Sequence, residues 1–271
     1  MDDRALAVAA ARIGAQIVHD LFGRIRSGDM KGTNNPVTVA DRESEEAIVA
    51  VLRRNRPGDA IVAEEGGGGE DGADGSGRHW IVDPLDGTVN FLHGIPQIGV
   101  SVALYDGDTP LAAAIVDTVR GEEFSAAAGE GAALGGEPLT VSGAEDLRGA
   151  IVATGFPYDH DRYAAEYTAV LTGVLEQVNG IRRFGSAALD LAWVAAGRYE
   201  GFWELGLAPW DSAAGILLVR EAGGVVTDPW GRPATPWLPL VVAAAPQLHE
   251  PLRAIVFDRL PERLRRRDGH G

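Results

Sequence analysis

Cysteine is absent from the 271 residues. That excludes disulfides, thiolate metal sites and a cysteine nucleophile, and it fits a reducing cytoplasm, the expected location. No apolar run approaches the ~18 residues that a helix needs to span a bilayer. The first residues, Met1-Asp2-Asp3, lack the basic-then-apolar layout of a signal peptide. Neither export nor a membrane partner is expected. Basic residues are scarce: 24 Lys and Arg face 39 Asp and Glu, for a formal net charge of -15. Such a chain is not drawn to nucleic acid or anionic lipid. No basic, aromatic-rich stretch speaks for direct RNA binding either, so no direct nucleic-acid contact is expected. An anionic substrate stays open, because a bound cation inverts the local field. The six histidines are scattered without metal-ligand spacing, which points to surface or packing roles. Internal repeats and separable linkers are also lacking.

What is present is the composition of an ordinary globular protein, 45% hydrophobic and 23% charged. Apolar spacing at Leu6, Ala10, Ile13, Ile17 and Leu21 predicts a helix over 4–27, ended near Gly28. A loop follows over 32–36. A second helix is predicted over 41–54, with Asp41 as its N-cap. Short buried strands are predicted at 60–63 and 80–82, then a meander over 97–105, 111–117 and 122–128 with turns at Asp106-Gly107 and Arg120-Gly121. The second half alternates: a strand at 151–153, helices at 160–178 and 186–196, a strand at 201–203, a helix at 211–222, strands at 225–226 and 240–242, and a last helix at 247–260. The glycine-rich acidic loop over 66–77 reads as mobile unless a metal orders it. Its partial likeness to calcium-binding loops fails, since there is a single copy and Val82 stands at the twelfth position from Asp71. The Arg265-Arg266-Arg267 tail reads as a solvated end.

Acids recur where buried strands end or helices begin: Glu64, Asp83, Asp86, Glu204 and Asp211. Ionised carboxylates crowd together only when cations neutralise them. Oxygen-only donors favour a hard ion such as Mg²⁺. The densest stretch is Trp80-Ile81-Val82-Asp83-Pro84-Leu85-Asp86-Gly87-Thr88-Val89-Asn90-Phe91. Proline stiffens the turn between Asp83 and Asp86, and Gly87-Thr88 would open a helix with amides facing a phosphate. Taken alone, Asp86-Gly87 also reads as a hairpin turn. Asp41 and Asp211 also read as helix caps, and Glu204 as a charged strand end.

This twelve-residue string resembles the signature of the inositol monophosphatase family. Lys31 ahead of Pro36-Val37-Thr38-Val39-Ala40-Asp41, then Ala63-Glu64-Glu65, then Gly185-Ser186-Ala187-Ala188-Leu189-Asp190 are similar to further family elements. Trp210-Asp211-Ser212-Ala213-Ala214-Gly215 resembles its second signature, closed by Glu221-Ala222-Gly223-Gly224. The matches run in family order from about residue 31 to 228. One departure is Gly66, where many relatives carry serine.

The resemblance implies a layered αβαβα sandwich of the inositol monophosphatase and fructose-1,6-bisphosphatase type, and a homodimer. It implies one phosphatase unit over 1–271, with the main metal-binding motif in 1–145 and the substrate side with Asp211 in 146–271. Two or three Mg²⁺ ions would be held by Glu64, Asp83, the Leu85 carbonyl, Asp86 and Asp211. Asp41 and Thr88, with Glu64, would serve the attacking water. The amides of Gly87 and Thr88 would hold the phosphate. Gly185, Ser186, Ala187, Glu204, Asp211 and Arg182 would contact the substrate's hydroxyl-bearing part. Lys31 would lie near the outer phosphate or the metal loop, while Glu65 reads as a supporting or solvated acid rather than a direct ligand. Asp190 would orient its neighbours.

The expected reaction is hydrolysis of a small phosphorylated polyol, inositol 1-phosphate first, sensitive to lithium and without a phosphoenzyme. Two ions can bind both the entering and the leaving oxygen of an in-line displacement, and phosphoryl transfer needs mostly positioning and charge neutralisation. Val89-Asn90-Phe91 and Thr154-Gly155-Phe156-Pro157-Tyr158 tilt the substrate toward inositol phosphate. Fructose 1,6-bisphosphate, histidinol phosphate and 3′-phosphonucleotides remain alternatives, as does a regulatory role through a protein partner.

Overall fold

The computed structural model describes residues 1–32, 35–66, 77–158 and 160–262. The glycine-rich loop beyond Gly66 and the Arg265–Arg267 tail, read above as mobile and solvated, lie outside them. Among the described residues the first half runs α1 (Asp3–Leu21), β1 (Asp29–Gly32), β2 (Asn35–Val37), α2 (Val39–Asn55), β3 (Ala60–Ala63), β4 (Arg78–Asp86), α3 (Thr88–His93), β5 (Gly99–Asp106), β6 (Thr109–Asp117), β7 (Glu122–Ala127), β8 (Gly131–Leu134) and β9 (Glu137–Pro138). The second half runs β10 (Ile151–Thr154), α4 (His160–Leu175), β11 (Gly180–Arg182), α5 (Ala187–Ala195), β12 (Gly201–Leu205), α6 (Pro209–Glu221), β13 (Val225–Thr227), β14 (Leu240–Ala244) and α7 (Pro246–Arg259).

These elements stack in five layers. Helices α1 and α2 cover one face of a seven-stranded sheet ordered β3-β4-β5-β6-β7-β8-β9. Its other face meets α5 and α6, which also pack on a five-stranded sheet ordered β11-β10-β12-β14-β13. Helices α4 and α7 close the far side. The layered sandwich is therefore observed. Its middle explains an oddity of the sequence: α5 and α6 are apolar nearly all round because a sheet lies on each side. Gly215 on α6 permits that closeness, since a Cβ there would stand 2.5 Å from Leu191 on α5.

Three expectations change. Helix α1 ends at Leu21 rather than near Gly28: Phe22 leaves the helix and Gly23 takes a φ of 77°. Phe22 then packs on Phe91, ring centres 6.0 Å apart. Gly28 instead lies where a Cβ would overlap the Val37 carbonyl oxygen. Of the stretch read as a loop, Gly32 belongs to β1 and Asn35 and Pro36 to β2, which pairs antiparallel with β1; residues 33 and 34 lie outside the described residues. Asp41 is not the N-cap of α2; Thr38 is, its side chain accepting from the Ala40 amide. Strands β8, β9 and β11 went unread, being two to four residues long and defined by distant partners.

Candidate active site

Strand register gathers the first acids. β3 runs parallel to β4 with Ala63 opposite Val82, so Glu64, just past the end of β3, stands level with Asp83 on β4. The Glu64 amide donates to the Val82 carbonyl at 3.2 Å. β4 pairs with β5 until Asp83, where the register shifts before resuming at Asp86. Pro84 explains the break, having no N–H to give the ladder. The freed Pro84 carbonyl accepts from the Ser44 hydroxyl of α2 at 2.8 Å, and the Leu85 amide donates to Asp83 Oδ1 at 3.0 Å. Trp80, Leu85 and Phe91 are fully buried around this bend. Each contributes roughly 1.5–3 kcal/mol of burial that fixes the strand end in place.

Gly87 then takes a φ of 93° and the chain enters α3. Asp86-Gly87 is thus a strand-to-helix turn, not a hairpin. The Thr88 hydroxyl lies 2.9 Å from Asp41 Oδ1 and 3.2 Å from the Leu85 carbonyl. The other Asp41 oxygen accepts from the Thr38 amide at 2.7 Å and its hydroxyl at 2.6 Å. Asp41 is wholly buried at the third position of α2, completing a capping box with Thr38.

Asp86 Oδ2 accepts from the Ser186 hydroxyl at 2.6 Å and from the Ala188 amide at 2.8 Å. Asp211 stands at the third position of α6, accepting from the Ala208 amide at 2.7 Å. Asp211, like Asp41, is therefore not the N-cap; Ala208 is, and Asp211 serves that residue's amide from the third position while also lining the site's cavity. Lys31, on the β1–β2 hairpin, donates to Glu64 at 2.8 Å and to Glu65 at 2.6 Å. The Glu65 amide in turn donates to Glu45 at 2.7 Å.

The electrostatics are those of crowded, dehydrated anions. Burial, then the charges of Glu64, Asp86 and Asp211, push the Asp83 carboxyl well above its ordinary range. Burial and the Asp86 charge raise Asp211 to about 8. Burial lifts Glu64 to about 7 although Lys31 pulls it down, and lifts Asp86 to about 6 against the Ser186 hydroxyl and nearby amides. Burial pulls the Lys31 ammonium down, but the two glutamates outweigh it and raise it. A flexible ammonium therefore neutralises one corner of the cluster.

The model of the "Inositol monophosphatase family" matches residues 2–259. The chain belongs to the inositol monophosphatase family. It is 45% identical over 227 residues to the Nus factor SuhB of Pseudomonas aeruginosa, covering 82% of this chain and 84% of that one. It is 44% identical over 224 residues to the inositol-1-monophosphatase of Mesorhizobium japonicum, covering 81% and 82%. The solved inositol monophosphatase of Anabaena (Nostoc) superposes with a TM-score of 0.85 at 34% identity, over 95% of this chain and 96% of that one.

The inositol monophosphatase frame here encloses a cavity of about 480 Å³. Asp86, Gly87, Thr88 and Asp211 line it together with Gly185, Ser186, Ala187 and Glu204. Asp41 and Leu85 connect to it through the Thr88 hydroxyl, and Asp83 through its charge contacts with Asp86 and Asp211. Burial, then Asp211 and Asp86, raise Glu204 to about 8.

Arg182 is displaced from its expected place. It is exposed and donates to the Ile181 carbonyl at 3.1 Å, whereas Arg183 lines the cavity, 5.9 Å from the Phe156 ring. β11 ends at Arg182, and Arg183 lies beyond it, on the stretch leading to Gly185 and the cavity. His93 and His160 also line the wall, a role not foreseen for histidine. Glu45 and Ser44 were missed too. With Asp41 they stand at i, i+3 and i+4 on α2, a polar stripe that is buried, and that spacing was the available signal. Asp190 is buried with neither carboxylate oxygen hydrogen-bonded among the described residues. Burial and the charges of Glu204 and Asp86 raise it well above its usual range.

Gly155 has a steric reason to be glycine, since a Cβ there would overlap the Glu204 carboxylate. Gly155→Ala should turn Glu204 away from its place in the cavity. On the substrate reading proposed below, the expected result is a KM for a polyol phosphate raised roughly tenfold, the scale of one lost hydrogen bond. Steady-state kinetics check this; an unchanged KM would contradict it.

Proposed function

We propose that the protein is a magnesium-dependent phosphatase that hydrolyses the monoester of a small polyol, inositol 1-phosphate foremost. The observation that carries this reading is the buried, oxygen-only cluster of Glu64, Asp83, Asp86 and Asp211, whose charges act on one another beside a cavity. Such a cluster is stable in its ionised form only with cations. Among the described residues no three such side chains stand ready-made around a single ion position. Protein donors occupy that role instead: Lys31 on Glu64, the Leu85 amide on Asp83, Ser186 and Ala188 on Asp86, and Ala208 on Asp211. The bonds named fall on a single oxygen of each carboxylate, which has about four lone-pair sites in all. The donor chemistry therefore fits a hard divalent ion, with Glu64, Asp83, the Leu85 carbonyl, Asp86 and Asp211 as its holders.

Bound Mg²⁺ would supply Lewis-acid polarisation of the phosphoryl and leaving oxygens. The chain's own residues do the rest. Thr88 gives its proton to Asp41, leaving hydroxyl lone pairs to accept from a water in the cavity. A proton lost by that water has a path through Thr88 to Asp41. The backbone amides of Gly87 and Thr88 meet the phosphate. Glu204 accepts from the substrate's hydroxyls, and Arg183 adds positive charge at the outer wall.

Hydrolysis of inositol 1-phosphate, fructose 1,6-bisphosphate, histidinol phosphate and 3′-phosphoadenosine 5′-phosphate, compared under added Mg²⁺, tests the reading. Inositol 1-phosphate should have the highest kcat/KM; if it ranks last, the substrate assignment is wrong. A second reading rests on the Nus factor name of the Pseudomonas relative, namely a regulatory role through a protein partner. An Asp86→Asn variant that is inactive yet keeps its cellular function would favour that second role.

A further inference from the structure

We propose that Asn90 is a positioning residue, one that clamps the substrate-side segment 184–188 against the phosphate-binding turn and so sets affinity for the polyol part of the substrate. This rests on the phosphatase reading above for its kinetic consequence, though not for its structural one. Asn90 sits on α3, three residues after Gly87, and is buried. Its side-chain amide nitrogen donates to the Gln97 carbonyl at 2.8 Å and to the Phe184 carbonyl at 2.7 Å, with the Gly185 carbonyl at 3.3 Å. Two N–H bonds thus serve three carbonyls from two stretches of chain. One stretch follows α3; the other leads into α5, 94 and 95 residues further on.

The closure is tight at this point. A Cβ on Gly87 would stand 2.9 Å from the Gln97 carbonyl and 3.3 Å from that of Gly185. Gly185 itself has a φ of 81°. Just beyond it, Ser186 and Ala188 donate to Asp86. Segment 184–188 is therefore fastened twice to the Asp83–Asp86 turn and its helix, at Asp86 and at Asn90. The Asp86 fastening uses a carboxylate assigned to ion binding. Asn90 itself lines the cavity, but its side-chain nitrogen is taken up by the Gln97, Phe184 and Gly185 carbonyls, none of which is assigned to ions, phosphate or water. Asn90 can therefore be lost without touching the reacting groups, while Gly185, Ser186 and Ala187 lose their fixed distance from Gly87 and Thr88. Only a donor suits the place: three carbonyl oxygens converge there, and an apolar or acidic replacement leaves them unpaired.

The test uses the full chain with Asn90→Ala and Asn90→Leu, the second matching the volume without donors. Amide hydrogen exchange is followed over 183–190, with β6 as the control for global folding. Kinetics are measured on inositol 1-phosphate and on 4-nitrophenyl phosphate, an ester with no hydroxyls for segment 184–188 to meet. The expected result is exchange about tenfold faster over 183–190 with β6 unchanged, the scale of one lost hydrogen bond. KM for inositol 1-phosphate should rise about tenfold with kcat within about threefold, and KM for the aryl ester should hardly move.

Unchanged exchange over 183–190 would overturn the proposal. So would equal loss toward both esters, or faster exchange in β6 in both variants, since either assigns Asn90 to the fold at large. A wild-type protein inactive on every ester would instead sink the phosphatase reading, and the exchange measurement, which needs no turnover, would still decide whether Asn90 clamps the segment.

Discussion

Asp83→Asn should lower kcat on inositol 1-phosphate about a thousandfold or more, and the metal-free variant should be at least as stable as the parent. The first effect follows from position. Asp83 is buried, and the charges of Glu64, Asp86 and Asp211 all act on it. Neutralising it removes the central anion of the cluster that attracts divalent ions, and a loss of ~4 kcal/mol of transition-state stabilisation is about a thousandfold in rate. The second effect follows from the same crowding. An asparagine keeps an oxygen that can accept from the Leu85 amide, while a dehydrated, mutually repelled charge is gone. Asp211→Asn should behave alike, because an amide oxygen can still accept from Ala208. Thermal melts in chelator alongside steady-state kinetics check both halves. Full turnover in either variant would contradict the ion assignment, and a large loss of stability would show a structural acid.

The metal-free protein should lose stability as pH rises. In the unfolded chain these carboxyls titrate near 4. Folded, Asp86 is held at about 6, Glu64 at about 7, and Glu204 and Asp211 at about 8. Between those limits the folded state binds more protons than the unfolded one, so unfolding free energy falls with increasing pH. Stability is full below the unfolded values and is lost as pH climbs through the folded ones, from about pH 4 to 8. One group raised by about three units is worth ~4 kcal/mol. The acids act on one another, so their effects do not add simply. Even that single contribution moves the melting temperature of a domain this size by ~10 °C. Added Mg²⁺ should flatten or reverse the trend, because ions that hold the carboxylates ionised bind the folded state alone. Melting curves from pH 5.5 to 8, with chelator and with Mg²⁺, give the comparison. A metal-free stability that is flat or increases over that range would refute the crowding of the acids.

The contiguous parts of the site could be read from the residues, and the parts made by long-range contact could not. The run from Trp80 to Phe91 holds strand, turn and helix start within twelve residues, so the grouping of its acids around a glycine turn is visible locally. Asp41 and Asp211 each stand three residues after an N-cap, and the reading erred by two or three positions because a cap and a third-position acid serve the same backbone amides. The layer order was legible through resemblance, not periodicity. Helices α5 and α6 have no polar face to orient them, since both their sides are buried. Strands β8, β9 and β11 are too short to carry a period. Arg183 rather than Arg182 lines the cavity, a one-residue difference that falls just past the end of β11, where no period marks it. Gly155 and Asn90 act on residues 49 to 95 positions away, and nothing in their own neighbourhoods reveals it.

The proposed function requires that Glu64, Asp83, Asp86 and Asp211 together gather divalent ions and do their chemistry with them. Removing those ions is the shortest path to it. Release of phosphate from inositol 1-phosphate should fall to background after exhaustive chelation and return in full when Mg²⁺ is restored. Turnover that persists undiminished in the stripped protein would show that Glu64, Asp83, Asp86 and Asp211 serve some other end.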